Sequence, residues 1–179
     1  MLVAPLGIAW FAAVALVLLD GRRALVGWLA VGALAATLGA TVALAVEVLQ
    51  NGAVRSVAGG WPAGVGITLR ADALGVIFAV VSTSVLLAAL AYEVIGGVES
   101  STFPALVLFM ATGLTGVFLT GDAFNFYVFF EIAMIASYVL TGYGQETRQI
   151  RAAAIFTVVN LLGSVLFLIG IASLYHVTG

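Results

Sequence analysis

Six apolar runs of roughly 18–25 residues each divide this chain, and they constrain its fold more than any other feature. Side chains of the set Ala, Val, Ile, Leu, Met, Phe, Trp, Tyr and Cys make up 64% of the 179 residues, and charged ones only 8%. Mean hydropathy is +1.26. A soluble domain has about 25% charged residues, and the few charges here cannot coat a body of this size. The surrounding solvent is therefore mostly lipid. In lipid every backbone N–H and C=O must be paired within the chain, which only helices and closed barrels achieve. The runs lack the strict alternation of barrel strands, so the expected class is an all-α polytopic membrane protein of about six transmembrane helices.

The breaks follow polar and glycine-rich turns. Helices are expected at about 2–19, 24–48, 72–95, 103–120, 123–141 and 152–175, together forming one transmembrane domain. Asp20-Gly21-Arg22-Arg23 ends the first. Residues 49–71, with Asn51-Gly52, Gly59-Gly60 and Trp61-Pro62, read as a structured extramembrane loop. Pro104 sits in the first turn of the fourth helix, where its missing N–H costs nothing. Gly142 to Arg151 is the most polar stretch. The first run lacks a preceding positive segment, so it reads as a retained helix and not a signal peptide.

All six basic residues of the Lys/Arg class are arginine, and cysteine is absent. No disulfide, zinc site or iron–sulfur cluster can be held by this chain, and no cofactor is expected. The scattered arginines form no basic stripe, so nucleic acid is not an expected partner. Arg22, Arg23, Arg148 and Arg151 lie on one side of the expected topology, and Arg55 and Arg70 on the other. The excess favours both termini outside the cell membrane.

Glu131 is the most informative side chain. It falls about eight residues into the fifth helix, hence roughly 12 Å along its axis, flanked by Phe129, Phe130, Ile132, Ala133 and Met134. A carboxylate at such depth costs about 2.5 kcal/mol or more on insertion scales and persists when paired, hydrated or protonated. It is a natural member of a proton relay or ion site. The plainer alternative is a helix–helix hydrogen bond from the protonated acid. Thr112, Thr115, Asn160 and Ser164 are candidate partners, and Ser137 is a further supporting polar group. No basic residue lies mid-helix, so a cationic partner would have to come from another segment. Glu47 and Glu93, near helix ends, read as snorkelling to the interface. Asp72 and Asp122 open helices and read as structural caps favoured by the helix dipole. His176 reads as interfacial. Small residues in the fourth and sixth helices, Gly113, Gly116, Gly163 and Gly170 among them, are packing signals. No phosphate loop, dinucleotide fingerprint, nucleophile elbow or metal-ligand cluster is present.

The stretch Gly121-Asp122-Ala123-Phe124-Asn125-Phe126-Tyr127-Val128-Phe129-Phe130-Glu131-Ile132, continuing through Ala136-Ser137-Tyr138-Val139-Leu140, resembles the fifth-helix motif of Mrp-type Na⁺/H⁺ antiporter D subunits. Related motifs occur in the antiporter-like subunits of complex I and of membrane-bound hydrogenases. Gly59-Gly60-Trp61-Pro62, Gly66-Ile67 and Asp72-Ala73-Leu74 resemble that family's loop between helices 2 and 3 and its third-helix entry. Asn160-Leu161-Leu162-Gly163-Ser164 and Leu166-Phe167-Leu168-Ile169-Gly170 resemble its sixth helix. The resemblance implies an amino-terminal, partial antiporter-like fold and a role for Glu131 in proton movement, paired with a helix-7 lysine that this sequence does not contain. It implies a non-enzymatic transporter subunit. The expected partners are other subunits of an antiporter complex, protons, Na⁺ and the lipid bilayer. Two alternatives stay open: a subunit of NADH-quinone oxidoreductase or a membrane hydrogenase, and a non-transporting scaffold whose Glu131 only joins helices.

Overall fold

The computed structural model describes residues 1–57, 66–144 and 146–178. Its elements run α1 (Ala4–Val17), α2 (Ala24–Asn51), β1 (Val54–Val57), β2 (Thr68–Ala71), α3 (Ala73–Gly96), α4 (Phe103–Leu119), α5 (Ala123–Thr141) and α6 (Thr147–Thr178). The molecule is all-α apart from one small hairpin. By length and composition, α2, α3, α5 and α6 are long and apolar enough to cross a membrane, while α1 and α4 are shorter apolar helices. At 1.5 Å per residue, the 17 residues of α4 span about 25 Å. That shortness is tolerable because α4 is enclosed by protein.

α4 is the centre of the bundle, packing against α1, α2, α3 and α5. Small residues make this possible. A Cβ added at Gly113 would come within 2.5 Å of the Ala133 backbone nitrogen and 2.7 Å of its Cβ, and one at Gly116 would run into the Phe129 ring. Close approach through glycine is the usual means of helix association in lipid. Two apolar clusters hold the bundle at its two ends. One gathers Leu16, Leu34, Leu90, Val94, Leu108 and Ala111. The other gathers Leu6, Leu44, Val48, Leu69, Val76 and Leu119.

The first and last helices differ most from the expected bounds. α1 is shorter at both ends. α6 begins at Thr147, so much of the polar stretch before Ala152 winds into its first turns. Helix propensity there is adequate, and Ile150 N donates to Glu146 O at 2.9 Å. In the loop after α2, β1 and β2 pair antiparallel, with Val54 opposite Ala71 and Arg55 opposite Arg70. Gly52, at φ +85°, makes the exit from α2 that an L side chain would resist. The Gly59-Gly60-Trp61-Pro62 motif lies outside the described residues.

Candidate functional site

α5 starts where Asp122 caps it. Asp122 Oδ1 accepts from Asn125 N at 2.7 Å, and its Oδ2 accepts from the Asn125 side chain and, at 3.3 Å, from Thr68 N. Gly121 N donates to Thr68 O at 2.7 Å, and Leu69 bridges to Thr120. The first turn of α5 is thus fastened to β2. Asp72 caps α3 in the same manner, accepting from Gly75 N at 2.9 Å.

Eight residues into α5, Glu131 meets α6. Its Oε1 accepts a hydrogen bond from Ser164 Oγ. Ser164 is 5% exposed and is the only buried residue of α6 among those described. α6 packs mainly on α5, so the one side chain that α6 buries is the one that reaches the carboxylate.

The other polar candidates are distributed differently. Thr112 Oγ1 donates to Leu108 O at 2.9 Å, and Asn160 Nδ2 donates to Phe156 O at 2.9 Å, each within its own helix. Neither reaches Glu131. Thr115 is fully buried, and its hydroxyl has no partner among the described residues. At Ser137 the described bond is to the backbone carbonyl, which accepts from Thr141 Oγ1 at 2.8 Å. Tyr138, two turns beyond Glu131 on the same face, is within electrostatic reach of it. Its hydroxyl is buried without a partner among the described residues, and its ring meets Phe156 edge-on at 5.4 Å. Tyr138 was not singled out from the sequence, although its spacing of seven from Glu131 is a helical-face signal.

Glu47 and Glu93, both half-buried near helix ends, have different surroundings. Glu93 Oε1 accepts from Tyr143 Oη at 2.9 Å, and the same phenol oxygen accepts from Glu99 N at 3.1 Å. The α5–α6 loop folds back over the end of α3 and supplies a donor that headgroup water would otherwise provide. Glu47 Oε2 is buried with no partner among the described residues. Burial holds the Tyr143 phenol above its ordinary 10.0, the neighbouring Glu93 adds to this, and the Glu99 N–H opposes it.

A cleft of about 270 Å³ opens beside the Glu131–Ser164 pair, lined by Phe126, Tyr127 and Phe130 of α5 and Asn160, Ser164 and Phe167 of α6. A larger one, about 630 Å³, lies at the hairpin end of the same seam, near Thr68, Asp122, Asn125, Leu168, Ile171 and Tyr175. No group of His, Cys, Asp and Glu suited to a metal occurs among the described residues.

Residues 120–179, covering α5 and α6, match the family model described as NADH:quinone oxidoreductase/Mrp antiporter, TM. Over its full length the chain is 36% identical to a Staphylococcus haemolyticus (strain JCSC1435) protein named as antiporter subunit mnhD2, and 35% identical to its Staphylococcus aureus (strain JH9) counterpart. The chain spans about a third of the length of these relatives, 36%. Among solved structures, a chain of the Mrp complex from Dietzia sp. DQ12-45-1b superposes with a TM-score of 0.87 at 29% identity, over 99% of this chain and 34% of that one. A chain of the membrane-bound sulfane sulfur reductase, an archaeal respiratory membrane complex, superposes at 0.85 with 25% identity, over 100% of this chain and 38% of that one. Over its whole length the chain is similar to antiporter-like membrane subunits of the Mrp and related respiratory complexes, and its last third matches the NADH:quinone oxidoreductase/Mrp antiporter family model.

Proposed function

We propose that this chain supplies the proton-handling carboxylate, Glu131, to a multisubunit monovalent cation/proton antiporter in the cell membrane, with Na⁺ as the exchanged cation and both termini outside. The observation that carries the proposal is the Ser164 hydroxyl bonded to Glu131 at the α5–α6 contact. A single hydroxyl donor holds one carboxylate oxygen and leaves the other as an acid–base group. A carboxyl in an apolar helix, able to gain or lose a proton without leaving its partner, suits relay chemistry. Tyr138, whose hydroxyl is buried without a partner among the described residues, is a group through which water would extend the relay. The names of the relatives support the antiporter setting.

In vesicles of the assembled complex, Glu131→Ala is expected to abolish Na⁺/H⁺ exchange, while Glu131→Gln leaves assembly intact and removes exchange. Exchange unchanged in both variants would favour a scaffold role instead. The likeness to the sulfane sulfur reductase chain supports a second setting, a redox-driven membrane complex. Co-purification of hydrophilic iron–sulfur subunits with this chain would select that setting.

A further inference from the structure

The pairing of β1 with β2 sets Arg55 directly opposite Arg70. Directly paired residues of an antiparallel ladder project to the same face, and like charges so placed repel. The inward face of the hairpin is committed, because Leu69 and Ala71 are buried and Val54 packs against the apolar cluster beneath. Both arginines are exposed on the outward face. Among the described residues Arg70 has one ion pair, a long contact with Asp72, Nε to Oδ2 at 3.8 Å, and that carboxylate also caps α3 through its other oxygen. Arg55 has no ion pair among the described residues. Asp122 of the α4–α5 turn makes no ion pair with either arginine among the described residues, and both its oxygens accept from N–H groups of Asn125 and Thr68. By sequence, residues 58–65 carry no charge that could neutralise the pair.

The hairpin is also fixed in depth. α2 ends at Asn51 and α3 starts at Ala73, so each arginine lies within four residues of a helix end. The bonds from Thr68 to Gly121 and Asp122 clamp β2 against the α4–α5 turn at that level. Two arginines are therefore paired across the ladder at the ends of two apolar helices. Guanidinium is the side chain best shaped for phosphate, which it binds with two parallel N–H bonds.

We propose that Arg55 and Arg70 form a binding site for the phosphate of an anionic phospholipid headgroup, whose charge offsets their repulsion. Phosphate on a lipid, and not free phosphate, is favoured because the site sits at the helix ends, where headgroups are concentrated. The proposal is independent of the role given to Glu131.

The test uses the full chain in nanodiscs of mixed phosphatidylglycerol and phosphatidylcholine, with retained lipids counted by native mass spectrometry. The wild-type chain is expected to retain phosphatidylglycerol preferentially. Arg55→Gln should lose about fivefold of that preference, and Arg55→Gln with Arg70→Gln roughly twenty-five-fold, on the scale of one surface arginine against anionic lipid. Thermal unfolding in pure phosphatidylcholine supplies the control. There Arg55→Gln should be at least as stable as wild type, because a repulsion has been removed, and a less stable variant would overturn the premise. Equal retention in all three proteins would overturn the site. If inorganic phosphate displaces the retained phosphatidylglycerol and stabilises the wild-type chain equally well in phosphatidylcholine, the site takes free anions and the lipid assignment fails.

Discussion

Ser164 shows how much one residue of α6 can decide. The rest of that helix is exposed or half-buried where described, and only this side chain is enclosed, against Glu131. On the role proposed for Glu131, Ser164→Ala is expected to slow exchange, with Ser164→Thr restoring it. Transport assays on reconstituted complex would check this, and unaltered rates in Ser164→Ala would reduce the serine to packing. Gly113 is decisive for a different reason. A side chain there collides with the Ala133 backbone, so Gly113→Val should cost about 1–3 kcal/mol as overpacking. Gly170 has open space around it, and Gly170→Ala should leave the midpoint of thermal unfolding unchanged or slightly raised.

At the scale of elements, two junctions outside the helices organise the bundle. The first is Asp122, which caps α5 and holds β2. Asp122→Ala should lower stability by about 1–2 kcal/mol, the upper range for a lost cap, and should increase amide exchange in both the hairpin and the first turn of α5. A loss confined to α5 would show that the link to β2 carries no weight. The second is Tyr143, which joins the α5–α6 loop to Glu93 and Glu99, with its ring 4.7 Å from that of Phe103. The folded chain favours the neutral phenol. Because its value is raised above 10.0, this contribution is complete below the unfolded value and is lost as pH rises through the folded one. Unfolding monitored on the alkaline side should show this dependence in wild type and not in Tyr143→Phe. At neutral pH, that variant should be destabilised by about 1 kcal/mol.

Across the whole molecule, burial is uneven. α4 touches four other helices, whereas α6 packs mainly on α5. Local stability follows such packing. In detergent micelles, backbone amide exchange should be slowest in α4 and the middle of α2 and fastest in α6. Comparable protection in all six helices would contradict this gradient. The relatives are named as antiporter subunits, and the structural neighbours come from multisubunit complexes. On the proposed reading, other subunits cover the exposed side of α6, and protection there should rise on assembly.

Lipid as the solvent, helices as the elements and Glu131 as an anomalous charge were all legible in the sequence, because each follows from one-dimensional facts. A charge-poor run can satisfy its backbone only as a helix, and a carboxylate among phenylalanines must find a partner. The choice of that partner was not legible. Thr112, Thr115, Asn160 and Ser164 were equivalent by residue type, and the rotation of α6 about its axis selected Ser164 while Thr112 and Asn160 turned to carbonyls of their own helices. Nor could the sequence show that Glu93 would meet Tyr143 from a segment fifty residues away, or that Arg55 would face Arg70. Local pattern sets which groups must be satisfied. Long-range packing decides what satisfies them, because only the assembled bundle brings distant donors and acceptors within bonding distance.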